Sequence, residues 1–565
     1  MENDTISWRH MIFRKGNSSK ANGINQITPS YTFIKAKALE RFGGVFMMQL
    51  VTKRIHMNRR RGPVTSQMTL DDDFNVPDSM EDVSHLMLEY GEIQIESVRN
   101  LGERAMVKGK LTFRVLYRTP DGQIMTLAGA IPFEESINMP ELQEQDDLQV
   151  MYELDDLSVG TINSRKLNVK ALVTFHLLAE TIEDVAAAAS VVSDGTVETL
   201  EKEIEIAVLA VRRKDTYRVK EVMTLPGNRP DIDRLLWQEV KLHNVNTKPL
   251  DGMIHIDGEL LVFLIYSGAD GRMPIHCLEE SIAFSGKIDL SEADADMIPF
   301  ITVRLIHKDV EVNPDSDGEM REIAVDAVIE LDMRLYKEEE IKLLGDLYAL
   351  DRELIPQHGT VCFDQIITKN QSKHKIQEKV SLSDGQRILQ ICHADATVRV
   401  DEVQMRDDGL PIDGVLEAEL ISLNADDGAP VAVSTKLLPF HVIADVPAGT
   451  KIRDYRLEAG VEQIAAVMLG QDTVEVKAVI TMDLLVFGEA CEPVILQVQE
   501  GPLNLELLKK KPGIVGYVVQ PGDSLWKIAR EFHTSVDEIM TANKLTDYII
   551  HPGDKLILVK SLSFA

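Results

Sequence analysis

Few residues in this chain of 565 stand at spacings that could support chemistry. His276-Cys277 and Cys392-His393 each set an imidazole beside a thiol, the combination that activates a nucleophile or binds a metal. Adjacent residues of a strand point to opposite faces, so neither pair can bring both side chains to one atom, and a structural role is expected for both. Asp71-Asp72-Asp73 could offer carboxylate oxygens to a cation, though a solvated acidic turn is the simpler reading. The phosphate-cradling GxxxxGK(S/T), the zinc-binding HExxH, the nucleophile-elbow GxSxG and the dinucleotide-binding GxGxxG are all missing from the sequence. No converging catalytic set is left, and neither enzyme activity nor a cofactor is expected. The cysteines, Cys277, Cys362, Cys392 and Cys491, are scattered singly without a CxxC pair. A structural zinc site and a disulfide scaffold are therefore not expected, and a reducing compartment fits best.

The remaining candidates are recognition chemistry. Lys53, Arg54, Arg59, Arg60 and Arg61 form the one basic cluster. It could touch an anionic membrane, at about 1 kcal/mol per basic residue near the surface, or it could be a solvated first strand. The formal net charge of −31 argues against a nucleic-acid binder, because no large basic surface is available to displace phosphate counterions. Asp184 to Val192 (DVAAAASVV) reads as a short helix or small-residue linker, too short to span a bilayer. Gly43 to Val51 is a weak export-signal candidate, since Lys53 and Arg54 follow it and no small-residue cleavage site does. No export is expected.

The last fifty or so residues hold a compact binding module. A short strand (Tyr517, Val518, Val519) enters a Pro521-Gly522-Asp523 turn. The first helix follows, with Leu525, Ile528, Ala529 and Phe532 on one apolar face and Ser524 suited to cap it. Ser535 and Glu538 form a capping box for a second helix whose buried stripe is Val536, Ile539 and Met540. A Pro552-Gly553-Asp554 turn leads to a closing strand from Lys555 to Val559. This β-α-α-β order, with Y-x-V, G-D-S-L, I-A, Asn543 and P-G-D-x-L in place, resembles a LysM domain. Such domains bind N-acetyl sugar polymers in many proteins and other proteins in some. The resemblance implies a groove between Gly522, Asp523, Ser524 and Leu525 on one side and Asn543, Leu545, Thr546 and Ile549 on the other. Leu525 and Ile549 could equally be core, and Gly522 could serve turn geometry alone. Trp526 is expected to be partly exposed and to anchor a partner.

The body of the chain is a repeat. Val107–Gly122 (VKGKLTFRVLYRTPDG) returns as Ile256–Gly271 (IDGELLVFLIYSGADG) and, more weakly, as Ile412–Gly428 (IDGVLEAELISLNADDG). Leu111, Phe113, Val115 and Tyr117 alternate with polar residues as a half-buried strand does, and each copy ends at a hairpin-forming Asp-Gly: Asp121-Gly122, Asp270-Gly271, Asp427-Gly428. Phe133, Phe284 and Phe440 follow at similar distances. A second strand matches Val169-Lys170-Ala171 with Val325-Asp326-Ala327 and Val476-Lys477-Ala478. Val76-Pro77 with Asp82 matches Leu225-Pro226 with Asp231; the third copy has Leu382 and Arg387 near those places and lacks both marks. The period of roughly 150 residues is too long for a solenoid. The expected fold is mainly β: three antiparallel β-rich sandwich- or barrel-like units in series, then the small βααβ module.

These units resemble the SPOCS domain of sporulation proteins in endospore-forming Firmicutes, and three of them followed by one LysM resemble a family of spore morphogenetic proteins. The resemblance implies a scaffold in the mother-cell cytoplasm, at the forespore surface in the spore coat. Its LysM would bind the morphogenetic ATPase of the coat's basal layer (the stage IV sporulation protein A type), and its body other coat proteins. The rival reading is a protein of cortex or wall that binds peptidoglycan or N-acetylglucosamine polymers. The boundaries expected are 48–205, 206–360 and 361–508 for the repeats, 509–515 for a linker (Lys509-Lys510-Lys511-Pro512-Gly513 within it) and 516–560 for the LysM. Residues 1–47 have no counterpart in the resemblance and are expected to be a non-native or disordered extension, with translation starting near Met47 or Met48.

Overall fold

A computed structural model describes residues 48–561, apart from 270–274, 383–387, 407–408, 426–429 and 471–472. The expectations for residues 1–47, Asp270-Gly271, Arg387 and Asp427-Gly428 lie outside the described residues. The first repeat comprises β1 (Gln49–Asn75), β2 (His85–Asn100), β3 (Arg104–Arg118), β4 (Ile124–Asn138), β5 (Asp147–Asn163) and β6 (Lys166–Val192). They form two antiparallel three-stranded sheets, β1-β6-β5 and β2-β3-β4. The alternation read in β3 is the reason: Leu111, Phe113, Val115 and Tyr117 are at most 1% exposed and face Val169, Val173 and Phe175 of β6 in one core. Asp121-Gly122 makes the β3–β4 hairpin, with Gly122 at φ 84°.

The arrangement repeats twice. β7 (Val197–Thr224), β8 (Ile232–Leu250), β9 (Met253–Gly268), β10 (His276–Asp289), β11 (Ile298–Pro314) and β12 (Met320–Ala349) form sheets β7-β12-β11 and β8-β9-β10. β13 (Glu353–Ser381), β14 (Ile388–Val403), β15 (Leu410–Asn424), β16 (Val431–Ala444), β17 (Ile452–Met468) and β18 (Thr473–Gly501) form β13-β18-β17 and β14-β15-β16. Each unit is thus a sandwich with its own core.

The long strands β6, β12 and β18 outrun β5, β11 and β17, and their C-terminal ends pair only with β1, β7 and β13. These three ribbons pack together. Ala187, Leu343 and Val494, which occupy one position of the repeat, meet in a single apolar cluster; their neighbours Ala188, Leu344 and Ile495 meet in the next. At another interface Leu116, Ile265 and Ile421, again equivalent, share a cluster. Translation along a solenoid would bring different faces of neighbours together; identical positions meet only by rotation about a shared axis. The three units therefore surround a pseudo-threefold axis. The segment Asp184–Val192 is corrected here: it is the end of β6, neither helix nor linker. Its small residues let three strand ribbons approach closely, and Ala187 and Ala188 are each 1% exposed.

The chain ends with α1 (Leu505–Lys510), β19 (Ile514–Val518), α2 (Leu525–Phe532), α3 (Val536–Asn543) and β20 (Lys555–Val559). Helix α1 takes up the beginning of the stretch expected to be linker, and β19 starts two residues before Gly516. Ser524 caps α2, and Ser535 with Glu538 forms the capping box of α3.

Candidate functional site

Most polar groups of the implied LysM groove are engaged within the module. Asp523 accepts from the Tyr517 hydroxyl and the Gln520 N–H, both at 2.7 Å, and these bonds hold its carboxyl below the usual carboxylate range. The Ser524 hydroxyl accepts from the Lys527 N–H. The Asn543 amide donates to the Ile539 and Ile557 carbonyls and accepts from the Ile557 N–H, tying α3 to β20. Leu525 is 3% exposed and belongs to the core; Leu545 is half-buried against it. Gly522, at φ 89°, has open space where a side chain would be, and Thr546 and Ile549 are exposed. Tyr548, which the sequence reading missed, stands beside Ile549, and both are 68% exposed.

The structure gives Trp526 a different setting from a free anchor. Its indole N–H donates to Asp346 Oδ2 at 2.9 Å, and its ring packs edge-on against Tyr348 at 4.9 Å. Arg530, one turn along α2, also bonds Asp346, at 2.6 Å. The Tyr348 hydroxyl donates to the Thr534 carbonyl and His533 Nε2 bonds the Leu350 carbonyl. This face of α2 is thus occupied by the C-terminal end of β12 and Leu350 just after it. A different surface stays open. The outer side of the β19–β20 pair carries Ile514, Val518, Ile557 and Val559, exposed by 43–69%.

Four of the five basic residues on β1 are engaged within the three-unit body. Lys53 pairs with Glu339 of β12 at 2.9 Å, Arg59 with Glu183 and with Asp364 of β13, and Arg60 with Asp454 of β17 at 2.7 Å. Arg61 pairs with Asp146, and Arg54 is exposed. The run is an electrostatic seam between β1 and all three units. Asp71-Asp72-Asp73 lies on β1 rather than in a turn; Asp71 and Asp73 pair with Lys170 and Lys166.

Nearby, Glu180 of β6 is buried, with 1% of its side chain exposed. Arg212 and Arg334 of the second unit reach it at 3.0 Å, and Arg456 of the third at 3.5 Å. Burial alone would raise its carboxyl, but the three guanidinium groups outweigh that and hold it below the ordinary range.

The cysteine reading is corrected. Cys362 and Cys491 oppose one another in the β13–β18 pair and form a disulfide. Strand pairing brings them together across a long stretch of chain, which spacing cannot show. His276-Cys277 and Cys392-His393 meet across units, and the bulge of β14 at Cys392 leaves both Cys392 and His393 facing the second unit, against the opposite-face expectation for that pair. Cys277 lies against Cys392, while His393 Nδ1 bonds Glu279 at 2.5 Å. Among the described residues, no helix is long and apolar enough to cross a membrane.

Residues 82–162 and 231–313 match the family model of the SipL, SPOCS domain, and residues 517–559 match that of the LysM domain. Both are non-catalytic domain families. No match was found among curated proteins or solved structures. The matched SPOCS segments cover β2–β5 and β8–β11, and the third unit repeats their strand order. With this fold and these matches, the chain carries two segments that match the SipL, SPOCS domain and a C-terminal segment that matches the LysM domain.

Proposed function

We propose that this protein is a non-enzymatic adaptor of spore-coat assembly. Its LysM holds the morphogenetic ATPase of the coat's basal layer, and its three-unit body works at the forespore surface, in the mother-cell cytoplasm, as a scaffold for other coat proteins. One observation supports a protein partner most directly. The outer face of the β19–β20 pair is aliphatic and open, with Ile514 69% exposed and Ile557 53%. Contiguous exposed aliphatic side chains on a rigid sheet suit protein docking far better than sugar, which needs aromatic platforms and free hydrogen-bonding groups.

The second reading, binding of peptidoglycan or N-acetylglucosamine polymers, is favoured by the open lip at Thr546, Tyr548 and Ile549. Titrating the full chain with the purified ATPase and, in parallel, with N-acetylglucosamine oligomers separates the two. On the adaptor reading the ATPase binds and Ile557→Asp weakens it at least about tenfold, as expected for a charge placed in an apolar interface. Sugar binding that is insensitive to Ile557→Asp, without ATPase binding, would refute the adaptor reading.

A further inference from the structure

The four cysteines form two spatial pairs, although no two are near in sequence. Cys362 and Cys491 are joined within the third unit. The other pair bridges two units: Cys277 stands on β10 of the second and Cys392 on β14 of the third, and their sulfur atoms are in hydrogen-bond contact. Both side chains are half-buried, beside the apolar cluster in which Leu116, Ile265 and Ile421 meet. Cys392 sits at a bulge of β14, where the ladder shifts between Ile391 and His393. The extra residue turns the thiol toward the neighbouring unit instead of its own sheet.

We propose that Cys277 and Cys392 are a modification site: a disulfide that forms between them under oxidising conditions and covalently joins the second and third units. The chemistry requires an oxidant of the disulfide or peroxide class. With a small-molecule disulfide, the Cys392 thiolate attacks one sulfur, forming a mixed disulfide and releasing one thiolate. Cys277, after giving up its proton, then attacks the Cys392 sulfur, closes the protein disulfide and releases the second thiolate. Two thiols lose two protons and two electrons, and one disulfide is reduced to two thiols. The order of attack follows from the contact. The Cys277 thiol donates to the Cys392 sulfur, which favours the Cys392 thiolate and pushes Cys277 up, with burial adding to the latter. His276 and His393 do not take part: the His276 ring stacks on Tyr266, and His393 is engaged by Glu279 and stacked on Phe263.

The link would close the sheets β8-β9-β10 and β14-β15-β16 against each other at a junction that already carries buried charge. There Lys241 pairs with Glu239 and Asp395, and His393 with Glu279. Such a staple restrains the pseudo-threefold body.

The test is to treat the reduced full-length protein with oxidised glutathione and map peptides without reduction. The expected result is a peptide pair joined through Cys277 and Cys392 in most chains, lost in Cys277→Ser and in Cys392→Ser. The same link should form in Cys362→Ser/Cys491→Ser, which removes the other disulfide. Free thiols at both positions, or glutathione adducts on Cys392 that never resolve to the internal link, would overturn the proposal. So would exchange that joins Cys277 or Cys392 to Cys362 or Cys491 instead.

Discussion

Trp526 donates its indole N–H to Asp346, 2.9 Å away, and so ties the LysM to the C-terminal end of β12, the last strand of the second unit. The module is therefore presented at a fixed orientation, with α2 turned inward and the outer face of β19–β20 turned outward. A partner that grips the LysM is positioned relative to the whole three-unit body, as an adaptor requires. The same bond makes Trp526 a misleading probe of partner contact, because replacing it disturbs the docking as well.

Asp346→Ala should undock the LysM. The substitution removes the acceptor of both Trp526 and Arg530 and is expected to weaken docking by about 2 kcal/mol, discounted for the solvent exposure of Arg530. Protease cleavage between Gly501 and Gly513 should accelerate about tenfold or more, while the LysM fold itself persists. Unchanged cleavage would show that the Tyr348 and His533 contacts suffice.

Glu180→Ala should destabilise the body by about 3–5 kcal/mol, because it leaves Arg212, Arg334 and Arg456 crowded without their shared anion. The sign with pH follows from the same geometry. The carboxyl of Glu180 lies below its unfolded value in the native state, so its contribution is present above the unfolded carboxylate pKa and fades as pH falls through the folded one. Wild type should therefore lose more stability on acidification below about pH 4.3 than Glu180→Ala does. Denaturant unfolding of both proteins across that range measures the difference.

Much of this was legible in the sequence. The alternation on β3, β9 and β15 gave the strands, and the caps at Ser524 and Ser535 gave the helices of the LysM. The recurring phenylalanines also carried a physical meaning that only the ladder reveals. Phe133, Phe284 and Phe440 stand directly opposite Gly109, Gly258 and Gly414, with each ring lying where a glycine side chain would be. What the sequence hid depends on how units pack. The basic run on β1 looks like a surface patch until Glu339, Asp364 and Asp454 arrive from other units. Ala187 and Ala188 look like a linker until three ribbons converge on them. Local periodicity reports which face is buried, and says nothing about which distant strand buries it.

Gly258→Ala tests the glycine–phenylalanine device. A Cβ there would lie 2.9 Å from Phe284 Cζ, closer than carbon atoms tolerate, and 3.2 Å from Val245 Cα, a tight contact. The ring must move or the strands must part, at an expected 1–3 kcal/mol. Adding Phe284→Leu to Gly258→Ala should recover part of that cost, since the smaller side chain vacates the space. Additive losses in the double variant would place the strain in the backbone instead.

The Pro and Asp marks of the first two units find their purpose in an arginine. Arg165 donates to the Met80, Val76 and Pro77 carbonyls and to Asp82; Arg321 donates to the Arg229, Leu225 and Pro226 carbonyls and to Asp231. Each arginine thus ties the loop before the second strand of its unit to the start of the sixth. In the third unit the sequence places Arg387 immediately before Ile388, as Asp82 precedes Val83 and Asp231 precedes Ile232. Counting back from Val476 as from Val169 and Val325, it places Asp472 where the arginines stand. In sequence the two charges are exchanged. Arg321→Ala should cost the second unit about 1–3 kcal/mol, as for loss of a charged donor with several acceptors. Arg387→Ala should cost the third unit less, because the Pro and Asp marks that Arg321 engages are missing there. Urea unfolding of the two variants compares them directly, and equal losses would mean that the third unit ties its loop as firmly as the others.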